Sequence, residues 1–422
     1  MTKKLLVIGA GFGGLGGAYW ARKAGHDVEI IEATDRPGGR AINVEFEGDR
    51  AAVGAQFFHR SYSVTQGLME ELGLATERFR ISRSITVLRP EGPFDLKSKL
   101  SVRHLLGWGG RLSAAWFGAR YASRVATYPV HEYSGKVPDL DDRMLSDVSG
   151  SFDKRFYDYV VGAGAYGFNA CLPTHTSLMH FIRMTTMANS PEFLIPGGTA
   201  GLAATLAERL PVEYEKAAKR LVVENGRVVG AELEDGTVRK ADHVLVATPG
   251  HAAGALMPDE LPDLKKRLTE APVIPYVVLA FFLDRRPESA TSAYFDPHGQ
   301  NFRTATLLQD PPQSGLPAYS MFSAYPRSVE QIEESDDALI KQGMEMLERS
   351  VPGFQQSWVR HAVVQRHPWG IGRFPPGQYK RHWELQCAAE QHPGLSLADV
   401  CGTHIEATLR RARAGIERME RE

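Results

Sequence analysis

Residues near the N-terminus have the types and spacing to hold a phosphate. Gly9-Ala10-Gly11-Phe12-Gly13-Gly14 fits G-x-G-x-x-G, a pattern that carries meaning only between a strand and a helix. Gly9 permits a tight turn, Gly11 lets backbone approach a pyrophosphate, and Gly14 lets the helix pack close to the strand. Phe12 and Gly13 sit at a helix start, where free N–H groups and the positive dipole end favour an anion. Glu32-Ala33 closes the next strand-like run, near the ~20-residue offset of a ribose-binding acid. Asp35-Arg36-Pro37-Gly38-Gly39-Arg40 follows. Its glycine pair brings more backbone to the phosphates, and Arg36 or Arg40 neutralises them.

These residues need elements to position them. Leu5–Ile8 is a short apolar run, Leu15–Ala24 reads as a helix stopped by Gly25, and Val28–Glu32 reads as a second strand. Strand, turn, helix, strand is a βαβ unit. Thr199 opens a helix with Leu202, Leu206 and Leu210 every four residues, ended by Pro211. The period then falls to two over 221–240. Asn225-Gly226 and Asp235-Gly236 mark a three-stranded meander, since type I′ hairpin turns favour these dipeptides. His243–Thr248 reads as a buried strand, Gly394–Ala398 as another apolar run, and 404–420 as a basic helix. Between them, residues 61–195 are rich in Arg, Met and aromatics.

With these motifs on the page, the chain resembles the flavin amine oxidase superfamily, in particular its protoporphyrinogen oxidase and phytoene desaturase branch. The resemblance rests on VIGAGFGGLGG, Glu32 and DRPGGR, and extends to Gly54-Ala55-Gln56-Phe57, Ile195-Pro196-Gly197-Gly198-Thr199, Ala247-Thr248-Pro249 and Leu397-Ala398-Asp399. It implies bound FAD. Gly54–Phe57 would run beside the flavin, Ala218 would offer backbone to the adenine, and Asp399 would meet the ribityl–phosphate region. His404 and Ile405 would face the pyrimidine. Ala398 stands where the family has Gly, and Arg410-Arg411-Ala412 replaces a small-residue run. The covalent cysteine of some amine oxidases would fall near Gly370–Arg373, where there is none, so FAD is expected to be non-covalent. Where many amine oxidases have a lysine, Tyr276 stands; Trp369 is one candidate wall of the aromatic cage. The segment Asp141–Ser177 looks closer to the protoporphyrinogen oxidase and desaturase branch.

Other chemistry is thin. Gly162–Gly167 repeats G-x-G-x-x-G, but Pro173 follows too soon for a dinucleotide helix. Fourteen histidines show no metal-ligand spacing; His59, His367 and His404 fall near the flavin-proximal segments. Cys171, Cys387 and Cys401 make neither a disulfide framework nor a zinc motif, which fits a reducing, cytoplasmic setting. Cys401 reads as a small buried residue. The apolar N-terminus dissolves into glycines, so a signal peptide is not expected. Over 422 residues the formal net charge is −1, which offers no global field for nucleic acid. A basic, aromatic stretch, Leu100–Arg124, reads either as a helix over a core or as a membrane-surface helix.

The expectation is therefore an α/β chain, α+β overall. A Rossmann-like, doubly wound FAD-binding domain (1–60, 195–260 and 385–422) is interleaved with a mixed-sheet and helical substrate domain (61–194 and 261–384). The reaction would remove a hydride from a C–N or C–C bond, with flavin reoxidised by dioxygen or another acceptor. Phe57, Phe58, His59, Tyr276 and Trp369 are pocket candidates, with His59, Tyr276 and Trp369 the candidates for a catalytic part. Arginines of the 61–190 region are candidates for substrate carboxylates or phosphates. Amine oxidation and a non-catalytic FAD scaffold are the alternatives. The substrate is a small molecule, and monomer and homodimer both stay open.

Overall fold

The computed structural model describes the 422-residue chain except residues 75–78, 81–83, 97, 127, 189, 288–290, 292, 308–315 and 400–403. Cys401 thus lies outside the described residues.

Five parallel strands form the first sheet, in the order Val212–Glu213, Asp27–Ile31 (β2), Lys4–Ile8 (β1), His243–Val246 and Leu395–Leu397. All five come from the three segments expected to build the cofactor domain. Leu5–Ile8 are fully or almost fully buried, as strands covered on both faces must be. The alternation sorts them cleanly. Leu5, Val7, Ile30 and Leu245 pack under the helix Phe12–Lys23 (α1) and the C-terminal helix Ile405–Arg421.

Leu6, Ile8, Val244 and Val246 face the other way, onto Leu221, Val228, Ala231 and Leu233 of the meander. The doubly wound expectation is corrected here. One face carries helices, while the other carries a three-stranded antiparallel sheet (Ala218–Glu224, Arg227–Leu233, Val238–Lys240) backed by the helices Gly250–Leu256 and Pro262–Thr269. A strand pair with one apolar face covers a sheet as well as a helix does. Asn225 and Gly226 both take positive φ (49° and 75°), as a type I′ turn requires. At the second turn only Gly236 does. Asp235 instead accepts the Thr237 N–H at 2.9 Å, a local bond that favours the ordinary turn.

The second sheet has seven strands, ordered Val359–Gly372, Val273–Leu283, Ala318–Phe322, Thr304–Leu307, Ala293–Phe295, Ile85–Arg89 and Gly92–Leu96. It is mixed: Ala293–Phe295 runs parallel to Ile85–Arg89 and the other pairs are antiparallel. The long apolar strand Val273–Leu283 lies second in this order, between Val359–Gly372 and Ala318–Phe322. Pro275 is accommodated at a register shift between Ile274 and Tyr276, the place a proline can occupy in a ladder. Helices from 99 to 188 cap this sheet, among them Lys99–Phe117 and Leu178–Ala188. The second glycine motif lies inside them, spanning a π-turn and the helix Ala163–Asn169. It is therefore no phosphate loop, and a Cβ on Gly164 would meet Phe181 at 2.8 Å. Among the described residues no helix is long and apolar enough to cross a membrane.

Candidate functional site

The site begins at the C-terminal ends of β1 and β2. Gly9 turns the chain at φ +102°, and a Cβ on Gly14 would lie 1.8 Å from the Gly9 carbonyl oxygen. No side chain larger than hydrogen fits there. Gly11, at the N-cap of α1, has open space where its Cβ would point. That helix start has no side-chain cap and no acidic residue in its first turn. Its N–H groups and dipole therefore stay available to an anion.

The other predicted segments close round this turn. Glu32 accepts the Ala10 N–H at 2.7 Å and the Thr34 N–H at 2.9 Å, so its carboxylate sits against the glycine turn; Ala33 beside it is exposed. Gly38 donates its N–H to the Ala10 carbonyl at 2.8 Å. Gly39, also at positive φ, packs beside Gly11, and the Arg36 guanidinium donates to the Gly39 carbonyl at 3.3 Å. Ala55 donates its N–H to the Arg40 carbonyl at 3.0 Å, and Thr199 donates to the Ala55 carbonyl at 2.5 Å. Ala247, Thr248 and Pro249 leave the sheet beside Gly9. Arg40 pairs with Asp399 and donates to the Gly370 carbonyl at 2.8 Å. Ala218 starts its strand next to Lys216, whose N–H reaches the Glu32 carbonyl at 2.8 Å.

Two buried polar atoms on this rim, Asp399 Oδ1 and Thr248 Oγ1, have no hydrogen-bond partner among the described residues. Buried oxygens are normally satisfied. Two orphans beside an open helix start and a glycine cradle fit a polar ligand lying across the strand ends, as a dinucleotide would.

The departures in the C-terminal helix do not loosen its packing. A Cβ on Gly16 would meet Leu409 at 2.3 Å, so this glycine lets the two helices touch. Ala398 fills the space over Gly13. Arg410 turns outward to Glu406 and Glu132 (2.8 and 2.6 Å), and Arg411 lies over the Tyr133 ring. Ile405 is buried in the helix core, and Glu406 is fully buried, accepting the N–H groups of Val64 and Thr65 at 3.0 and 2.9 Å.

Beyond the cradle lies an aromatic group. Tyr276 stacks on Phe322 at 5.6 Å between centroids, and Phe322 stacks on Tyr166 at 5.9 Å. Burial raises the Tyr276 and Tyr166 hydroxyls well above the usual phenol range, so both stay protonated. Gln56 accepts the Thr306 hydroxyl at 3.2 Å. Phe57 and His59 meet edge to face at 5.3 Å, whereas Phe58 turns away into the first core, against Phe193. Trp369 is 45% exposed, next to Gly370, whose Cβ would collide with Tyr276. His367 holds the Val53 carbonyl at 2.7 Å, and burial lowers its basicity.

The sequence reading missed one pair. His131 Nδ1 and His404 Nε2 lie 2.8 Å apart, with Tyr62 packed on both rings. Burial is the main cause that keeps both imidazoles neutral, lowering His131 to about 4. His131 stands in no motif and reaches the site from a loop distant in sequence. Of the Arg-rich region, Arg183 is buried and donates to the Pro129, Val130 and Glu132 carbonyls.

Comparisons with known proteins agree with this geometry. The family model for flavin-containing amine oxidoreductases matches residues 12–410. A putative flavin-containing monoamine oxidase of Mycobacterium tuberculosis is 26% identical over 286 residues, covering 63% of this chain and 62% of that protein's length. Two solved structures share the fold. A putative protoporphyrinogen oxidase of Exiguobacterium has TM-score 0.77 and 17% identity, covering 100% of this chain and 99% of that one. An engineered putrescine oxidase has TM-score 0.83 and 15% identity, with 100% of both chains covered. The fold, the glycine cradle and the match over nearly the whole length lead to one conclusion: the chain belongs to the flavin-containing amine oxidoreductase family.

Proposed function

We propose that the chain is an FAD-dependent oxidoreductase that holds FAD without a covalent bond. The observation that carries this reading is the cradle: an open helix start at Gly11, with the unpartnered Asp399 Oδ1 and Thr248 Oγ1 on its rim. In this reading Gly9–Gly14, Gly38 and Gly39 meet the pyrophosphate and Glu32 meets a ribose. Arg36 and Arg40 balance the phosphate charge, and Asp399 meets the ribityl end. Gly54–Phe57, His404 and Ile405 line the flavin, and Ala218 offers backbone to the adenine. Residues 1–60, 195–260 and 385–422 build the cofactor unit, and 61–194 with 261–384 build the substrate unit.

FAD supplies a hydride acceptor, so the chain itself need only bind, orient and dry the substrate. Tyr276, Phe322 and Tyr166 form an aromatic wall within one apolar cluster. Such a wall suits a ring or an extended apolar substrate, oxidised at a C–N or C–C bond to a double bond. Phe57, His59 and Trp369 complete the pocket, with His59 the candidate proton acceptor. The likeness to a putative monoamine oxidase favours the second reading, a primary or secondary amine as substrate.

The test has two stages. The purified chain should be yellow, and denaturation should release its flavin into the supernatant; a colourless chain that binds no added FAD overturns the proposal. Anaerobic bleaching against amines and polycyclic precursors then separates the readings. Amine turnover with peroxide release would replace the first by the second.

A further inference from the structure

Five of the nine exposed large apolar side chains among the described residues lie on one helical segment, Lys99–Phe117, which kinks at Gly107 (φ 61°). Before the kink, Leu105 packs on the cluster that includes Tyr166 and Phe322, and Leu106 packs in the helical core. After it, Gly110 is buried, and Ala114 and Phe117 pack on the helical core. The opposite side of this second part is open, save that Trp116 meets Tyr121 and Phe152 edge to face. Trp108 is 77% exposed, Leu112 69% and Trp116 44%. Their spacing of four puts them on one stripe, and exposed Ala115 widens it. A stripe of this kind on a soluble chain marks an interaction surface.

Charge selects the occupant. Residues 96–131 contain no Asp or Glu but six Lys or Arg. Arg111 lies 3.8 Å from the Trp108 ring centroid, at the edge of the stripe. Arg103 and Arg120 are exposed and make no ion pair among the described residues. A second copy seated two-fold on this face would set these cations against their own images. Phosphate head groups would neutralise them, while the tryptophans and Leu112 entered the acyl boundary.

We propose that the outer face of the helix Lys99–Phe117 docks onto an anionic lipid bilayer. The part after the Gly107 kink lies in the plane of the interface, and Leu105, just before the kink, packs with Tyr166 and Phe322 of the candidate pocket wall. The inference does not depend on the redox reading, and its test needs no turnover.

The purified full-length chain, with whatever flavin it carries, is sedimented with phosphatidylcholine vesicles containing or lacking phosphatidylserine. Binding to the anionic vesicles that weakens with salt is expected. Trp108→Ser/Leu112→Ser should weaken it about 100-fold, from the lost apolar burial. Arg103→Gln/Arg120→Gln should weaken it about fivefold per cation removed. Because these side chains are exposed, flavin content and melting temperature should match wild type, which separates lost docking from lost folding. Chain that stays in the supernatant, equal binding to neutral vesicles, or variants that bind as wild type would each overturn the proposal. So would a concentration-dependent dimer that the apolar variant abolishes, since the stripe would then be a contact between copies.

Discussion

The glycine cradle and the aromatic group meet at Gly370, which touches Arg40 and Tyr276, and are built on different principles. The cradle is made largely of backbone: positive-φ glycines at 9, 38 and 39 and an uncapped helix start at Gly11. The aromatic group is made of side chains brought together by packing, Tyr276 on Phe322 and Phe322 on Tyr166. A backbone requirement admits few residue types, whereas a packed aromatic wall admits many. The two regions should therefore fail differently when altered.

The largest effect is expected inside the cradle. In Gly14→Val the new Cβ would lie 1.8 Å from the Gly9 carbonyl oxygen and 3.0 Å from Val7. Backbone must move, and the expected outcome is insoluble chain, or chain that melts far below wild type without flavin. Gly11→Ala has open space instead. It should melt normally without flavin yet hold FAD at least 100-fold more weakly, because its methyl enters the space left for the pyrophosphate. If calorimetry and flavin titration give both variants the same phenotype, the distinction between a packing glycine and a ligand-facing glycine collapses.

Next comes Asp399→Asn. The carboxylate pairs with Arg40 and is mostly buried. Removing its charge leaves the guanidinium uncompensated, but Arg40 is partly exposed and solvent screens part of the cost. About 1–2 kcal/mol is expected, with roughly tenfold weaker flavin binding. Unchanged affinity by fluorescence titration would remove Asp399 from the cradle.

The same contrast explains what was legible in the sequence. Gly38, Gly39 and Gly54 stood out in the sequence because each meets a backbone need, positive φ at the first two and close approach to the Arg40 carbonyl at the third, and Glu32 because it ends a short buried strand. That strands from three separate segments would share one sheet could be read from the same motifs. The meander's strands were legible too, but their place over the sheet was not, since an apolar face states only that it must be covered. Phe322, Tyr166 and His131 belong to no motif, and only tertiary packing brings them to Tyr276 and His404. Phe58 and His59 were adjacent candidates; strand alternation sends Phe58 into the core.

A smaller effect belongs to the pocket. Tyr276→Ala removes one ring of the stack without touching the glycine turn or Arg40. Flavin content should stay near wild type while kcat/KM for the eventual substrate falls about 10- to 100-fold, the scale of one lost aromatic contact plus looser positioning. Tyr276→Phe should keep most of the activity, since the buried hydroxyl does not ionise. Loss of flavin in Tyr276→Ala would mean that cradle and pocket are not separable.

The smallest effect is a pH dependence from buried titratable groups outside the glycine turn. His131 is held neutral, its basicity lowered to about 4 chiefly by burial, with nearby Glu406 pulling the other way. An unfolded histidine titrates near ~6.5. Above that value neither state is charged and His131 adds no pH dependence. Between about 6.5 and 4 the unfolded chain takes up the proton first, so stability falls as pH falls, by about 1–2 kcal/mol after allowing for partial exposure. Asp141 works in the opposite sense. Burial raises it to about 6, so the folded chain keeps its proton where the unfolded chain has lost it. Its contribution is largest at low pH and is lost as pH rises from the usual carboxylate range through about 6. Between pH 4 and 6 the two oppose each other. His131→Gln should therefore flatten the acid side of a melting-temperature profile, and Asp141→Asn should steepen it by removing the partial offset. A profile that both variants leave unchanged would place the acid lability in the other buried histidines, of which His243 is also held neutral mainly by burial.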